Sequence, residues 1–138
     1  MADELLLDTG ALIGLLDRSQ AVHKSCAAFF RTWTGPIVTS EAVLTEATHL
    51  LSDLPLGVAA CIDFILRAEV ILIPSTEVSL RRCLALIEKY SVLAMDFADA
   101  TLVVLAEELD ADRIFTVDSD FQVYRIYGRK RFRLFPNV

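Results

Sequence analysis

The sequence predicts an α/β fold: a three-layer α/β/α sandwich around a central parallel sheet of about five short strands. Three observations predict it. Short, mostly apolar runs (ELLLD, IVT, VILI, RIFTV) alternate with segments whose apolar residues recur at helical spacing. The helical segment Ala98–Leu109 gives way after a short turn to the run Arg113–Val117, and a helix feeding a buried strand is half of a parallel α/β unit. Acids also stand where the strands end. Asp8 closes the first run and Asp118 follows RIFTV, while Asp99 opens a helix. In an open parallel sheet helices begin where strands end, so these acids share the rim where such sheets bind ligands.

In chain order, Glu4–Asp8 is the first strand, and Thr9-Gly10 turns it into a helix over Ala11–Leu16. Val22–Trp33 is the second helix, with Cys26, Phe29, Phe30 and Trp33 on one face, and Gly35-Pro36 stops it. Ile37–Thr39 is the second strand. Ser40 is placed to cap the next helix, which carries Glu41 in its first turn and runs to about Leu51. Asp53-Leu54-Pro55 breaks it, and Pro55 is placed to start a helix over Leu56–Ala68. That helix is apolar nearly all round, so more than one of its faces must be covered. The pair reads as a hairpin projecting from the sheet, with Phe64 and Ile65 on the surface a partner would cover. Val70–Ile73 is the third strand, ended by Pro74, and Glu77–Tyr90 is a helix. After Phe121 the chain reads as irregular until a last edge strand at Phe132–Phe135. No repeat or linker divides it, so 1–138 reads as one domain.

Composition narrows the function classes. A net charge of −6 makes the chain a poor general binder of phosphate backbones, and suits a cation pocket or a basic protein partner. Hydrophobic residues make up 54%, yet no apolar run approaches the roughly 18–20 residues that cross a bilayer. Met-Ala-Asp-Glu lacks the basic start of a signal peptide. The apolar surplus points to a covered surface, with a homodimer as the first expectation. Cys26, Cys61 and Cys83 are odd in number and dispersed, which argues against disulfides and zinc and for a reducing cytoplasm. The basic tail (Arg125, Arg129, Lys130, Arg131, Arg133) reads as a charge-blunted strand edge before it reads as an RNA-steering patch.

The acids carry the chemistry. Asp8, Asp99 and Asp118 sit at one rim, and Glu46, about two turns into its helix, can point back across the strand ends. Gathered carboxylates repel, and no basic residues are interleaved with these to neutralise them. A divalent cation resolves the repulsion, and hard oxygen ligands suit magnesium or manganese. Each acid also has a plainer reading: Asp8 and Asp96 as helix caps, Asp99 as an acid favouring the helix dipole, Glu46 as a solvated charge, Asp118 with Asp120 as an Asx turn. Four coincidences at one rim weigh against the plain readings taken together. Glu46-x-x-His49 has the spacing of a di-iron motif but lacks the second copy that site needs.

The segments LLLDTGALIGLLD, TSEAVLTEATHLL and MDFADATLVVLAEELDADRIFTVDSDF together resemble the PIN domain of VapC-like toxins. The resemblance runs from Leu5 to about Phe121. It implies a metal-dependent endoribonuclease, the toxin of a type II toxin–antitoxin pair, with Asp8, Glu46, Asp99 and Asp118 as its acids. It further implies one or two Mg2+ ions (Mn2+ as a substitute) held by Asp8, Asp99 and Asp118, with Glu46 completing the site. RNA is the implied substrate and a small antitoxin the implied partner. Asp96 and Asp120 stand beside these positions in support, and Thr9, Thr116 and Ser119 could hold waters or phosphate oxygens. Two alternatives remain: a receiver-like phosphoacceptor, for which TVDSDF lacks the following Lys, and a non-catalytic PIN-fold binding module.

Overall fold

The computed structural model describes residues 3–136. Five parallel strands form the sheet: β1 (Leu5–Leu7), β2 (Ile37–Ser40), β3 (Ile71–Ile73), β4 (Arg113–Phe115) and, after a two-stranded hairpin of β5 (Arg125–Ile126) and β6 (Lys130–Arg131), β7 (Arg133–Phe135). Their order is β3-β2-β1-β4-β7. Leu6 lies level with Val38 on one side and Ile114 on the other. The chain therefore builds outward from β1 in one direction, then returns to place β4 on its opposite edge. That reversal opens a crevice beyond the carboxyl ends of β1 and β4.

Alternation along β1 divides the core. Leu5 and Leu7 pack with Ala11, Leu12, Cys26 and Phe115 on the face covered by α1 (Thr9–Leu16), α2 (His23–Thr32) and α4 (Gly57–Arg67). Leu6 packs on the other face with Leu86, Leu102 and Phe121, under α5 (Glu77–Lys89) and α6 (Phe97–Leu109). The α3 helix (Glu41–Leu50) serves both, with Val43 in one cluster and Ala47 in the other. All three cysteines are free and buried, as small apolar residues. Among the described residues no helix is long and apolar enough to cross a membrane.

The helix boundaries follow from local chemistry. Ser40 caps α3 by accepting from the Val43 amide at 3.2 Å. Thr76 and Ser79 form a reciprocal capping box at the start of α5. The start of α4 differs from expectation: Pro55 does not open it. Leu56 takes a left-handed conformation (φ 60°), and the helix begins at Gly57, where any Cβ would lie 2.1 Å from the Leu51 carbonyl oxygen. Only glycine fits there. The hairpin of α3 and α4 also does not project; it lies against α1, with Cys61 and Ile65 in the core. Phe64 and Ile65 accordingly face inward, Phe64 with its ring 5.3 Å from that of Phe30. The outward face of α4 is instead Leu56, Val58, Ile62 and Leu66, of which Leu56 is 82% and Leu66 71% exposed.

The tail is more ordered than its composition suggests. Arg133 Nη2 donates to Asp112 at 2.7 Å, Lys130 lies 3.4 Å from the same carboxylate, and Arg125 donates to the carbonyls of Gln122, Val123 and Tyr124. These charges fasten β7 and the hairpin to the rest of the chain. His23 is half-buried, its Nδ1 2.8 Å from the Gly14 carbonyl oxygen.

Candidate active site

At the crevice, the elements bring Asp8, Glu46, Asp99 and Asp118 around a single pocket of about 220 Å3, together with Thr9, Gly10, Ile13, Leu50 and Asp96. Asp8 follows β1 directly and is buried. Its backbone occupies the cap position of α1, but its carboxylate makes no capping bond, so the cap reading does not account for that side chain. Thr116 Oγ1 donates to Asp8 Oδ2 at 2.6 Å while accepting from the Asp118 amide at 2.9 Å. One hydroxyl thus ties the end of β1 to the loop after β4, and it has no spare proton for a phosphate. Burial pushes the Asp8 carboxyl up to about 6, against the Thr116 and Thr9 hydrogen bonds and with help from Asp118 and Glu46.

Asp99 sits in the first turn of α6. Its amide is capped by Asp96 Oδ1 at 2.8 Å, so Asp96 is the helix cap and the Asp99 carboxylate is left for the pocket. Burial raises its carboxyl to about 8, followed by the charges of Asp96 and Asp8. Asp118 does form the Asx turn, accepting from the Asp120 amide at 2.9 Å with Oδ1, and still lines the pocket. Ser119 borders a different hollow with Gln122 and Leu134, on the far side of that turn. Asp120 lends the turn its amide and does not line the acid pocket.

One feature of the site was missed in the sequence. Tyr124, fully buried, donates from its hydroxyl to Asp99 Oδ2 at 3.1 Å. Burial and then the Asp99 charge hold its phenol well above the usual range, so it remains a donor. Its ring is boxed edge-on by Tyr90 and Phe121, each 5.0 Å away. Thr9, one of the residues the sequence offered for waters or phosphate oxygens, has its Oγ1 buried at the pocket without a hydrogen-bond partner. The sequence offered a faint signal for Tyr124 in the aromatics at 121 and 124, three apart on a tight turn.

No Lys or Arg lines the pocket, so neither a receiver-type lysine nor an internal counter-charge is there. Among the described residues no three His, Cys, Asp or Glu side chains are close enough to hold an ion as they stand. His49 lies outside the acid pocket, on the exposed side of α3.

The PIN-domain family profile matches residues 5–127. The chain belongs to the PIN-domain family. As a PIN domain it is similar in fold to VapC20 of Mycobacterium tuberculosis, described as a sarcin–ricin loop cleaving toxin. The TM-score is 0.80 at 19% identity, over 86% of this chain and 93% of that one. It is also similar to VapBC2 of Rickettsia felis bound to a DNA fragment from their promoter, with a TM-score of 0.69 at 14% identity over 95% and 98% of the two chains. FitAcB of Neisseria gonorrhoeae follows at 0.58 and 18%, over 83% and 88%. No curated protein matches by sequence. At these identities the likeness is one of fold.

Proposed function

We propose that this PIN domain is a metal-dependent endoribonuclease, the toxin half of a toxin–antitoxin pair. The observation that carries the reading is the meeting of Asp8, Glu46, Asp99 and Asp118 at the sheet's switch point, without a neutralising Lys or Arg. The donor set fits a hard divalent cation: carboxylate oxygens plus the unpartnered Thr9 hydroxyl, and no sulfur or imidazole. Asp8, Asp99 and Asp118 would hold Mg2+ or Mn2+, with Glu46 completing the site. Such an ion, when bound, makes a coordinated water more acidic and offsets charge on a phosphodiester. The chain's own groups do the remaining work. Thr116 orients Asp8, Tyr124 orients Asp99, and Glu46 is placed at the pocket to direct the attacking water.

Purified protein should cleave single-stranded RNA in Mg2+ or Mn2+ and stop in EDTA. Full activity after metal stripping would overturn the mechanism. Tyr124→Phe tests the positioning role directly. Groups that orient a metal ligand are typically worth about 10–100-fold in metal affinity, so Mn2+ affinity should fall by roughly tenfold or more. An unchanged manganese titration, read by electron paramagnetic resonance, would remove Tyr124 from the site.

The toxin reading is supported by the fold neighbours, which include toxin–antitoxin complexes. The surface offered to a partner is the outward face of α4, where Leu56, Ile62 and Leu66 border a cleft of about 700 Å3. Leu66→Glu should weaken association with the antitoxin, or with a second copy, while leaving the fold intact. Sedimentation that does not change, both alone and with the product of the neighbouring reading frame, would acquit this face.

A further inference from the structure

A second cleft, of about 550 Å3, lies between α3 and the start of α6. It shares Glu46 and Asp96 with the acid pocket, so the two adjoin. The floor is small and apolar, at Ala42 and Ala98; the walls carry Glu41, Thr45, His49 and Phe97. Phe97 is 43% exposed and makes none of the ring contacts that engage the other core aromatics among the described residues. We propose that this cleft is a nucleobase subsite, in which the ring of Phe97 stacks an unpaired base flanking the cleaved bond. The proposal rests on the ribonuclease reading and goes on to say which part of the RNA is held, and where.

The chemistry of the walls selects a base over a phosphate. No Lys or Arg lines the cleft, and Glu41 and Glu46 would repel a phosphate. A base is neutral and has a π-face, and stacking on an aromatic side chain tolerates any base. Its edge then meets acceptors. Guanine presents adjacent N1–H and N2–H donors, which match the two oxygens of a single carboxylate such as Glu41. Uracil presents one N–H between two carbonyls and fits poorly beside carboxylates. Thr45 and His49 can serve either a donor or an acceptor on the base. The subsite should therefore rank guanine first and uracil last.

Two measurements separate this subsite from the ribonuclease reading. The first needs no cleavage: guanosine and uridine, which carry no phosphate, are titrated into Mg2+-containing protein and followed by nuclear magnetic resonance. Guanosine should shift the Phe97 and His49 ring signals and bind more tightly than uridine. Phe97→Leu should weaken guanosine at least fivefold, in line with alanine scans of base-stacking residues, and Phe97→Trp should restore it. The second uses short single-stranded RNAs with an abasic residue at each position beside the scissile bond. Wild type should lose at least fivefold in kcat/KM at one position, mainly through KM; Phe97→Leu should show that loss on intact RNA and no further loss on the abasic one. Guanosine shifts elsewhere, losses that simply add, or a dimer that dissociates on Phe97→Leu because a second copy fills the cleft would each overturn the subsite. RNA cleavage without any Phe97 effect leaves the ribonuclease reading standing and removes the subsite. Guanosine bound at Phe97 by a protein that cleaves no RNA does the reverse.

Discussion

In EDTA at neutral pH, Asp99→Asn should melt a few degrees higher than wild type while losing ribonuclease activity. The reason is the raised carboxyl. Burial, Asp96 and Asp8 lift Asp99 to about 8, so at pH 7 the metal-free fold retains a proton that the unfolded chain has released. Asparagine is neutral in both states and so avoids the cost of holding that proton; it keeps nearly the same shape, and its Oδ1 can still accept from Tyr124. The usual competing loss, a capping bond to the first helical amides, is absent because Asp96 supplies that bond. A shift of about 1 kcal/mol corresponds to several degrees in a domain of this size. Activity should fall by more than the roughly 10–100-fold typical of residues that act on a metal only through a ligand. Mg2+ should raise the melting temperature of wild type more than that of the variant, since the ion relieves the same repulsion. An Asp99→Asn protein that is less stable in EDTA and gains as much from Mg2+ would show that Asp99 is no ligand.

The same acids set the pH dependence. A carboxyl raised in the fold stabilises it fully below the unfolded value of 3.8, and that stabilisation is lost as pH rises through the folded value. For Asp8 the loss runs from 3.8 to about 6, and for Asp99 from 3.8 to about 8. Metal-free protein should therefore become more stable as pH is lowered from about 8 towards 4. Below that, the trend reverses. Asp112, held below the usual range by Arg133 and Lys130 against the cost of its burial, gives up its ion pairs there. Mg2+ should flatten the rise, because metal binding favours the deprotonated acids. Melting curves across pH, with EDTA and with Mg2+, read both effects.

Arg82→Leu should cost on the order of 2–4 kcal/mol, the largest single loss of stability expected away from the site. Glu107 is buried on α6, its side chain 3% exposed, and Arg82 reaches it from α5 through two bonds of 2.8 and 2.9 Å. The same carboxylate accepts from the Tyr127 amide at 2.6 Å, and the Tyr127 hydroxyl returns to the Glu107 carbonyl at 3.0 Å. Removing Arg82 leaves a buried charge with one neutral donor. The expected cost is less than for a fully buried pair because the Arg82 side chain keeps 37% exposure and water can enter its place. Replacing both residues by Leu should recover part of the loss, short of all of it, because the Tyr127 amide is orphaned. Denaturant unfolding of the single and double variants decides it; additive losses would mean that the pair does not couple.

What the sequence determined by itself is whatever depends on neighbours along the chain. The runs LLL, IVT, ILI and RIF become strands because they are short, apolar and bounded by turn residues, and Asp8, Asp99 and Asp118 reach one rim because each sits at an element's end. Ser40 and Asp96 are caps because capping reaches only three residues ahead. Tertiary structure decided what depends on which surfaces meet. In α4 the exposed pair Asp63 and Arg67 marks the outer side, but hydropathy alone does not tell Leu66 from Ile65, so packing on α1 decided that Ile65 turns in and Leu66 out. Likewise, nothing near Tyr124 in sequence announces a partner 25 residues away; the turn after β4 and the ring box of Tyr90 and Phe121 bring its hydroxyl to Asp99. The pairing of β4 with β1, across more than a hundred residues, was settled in the same way. Strand order is a property of the assembled sheet, and it is this order that opens the crevice in which the acids meet.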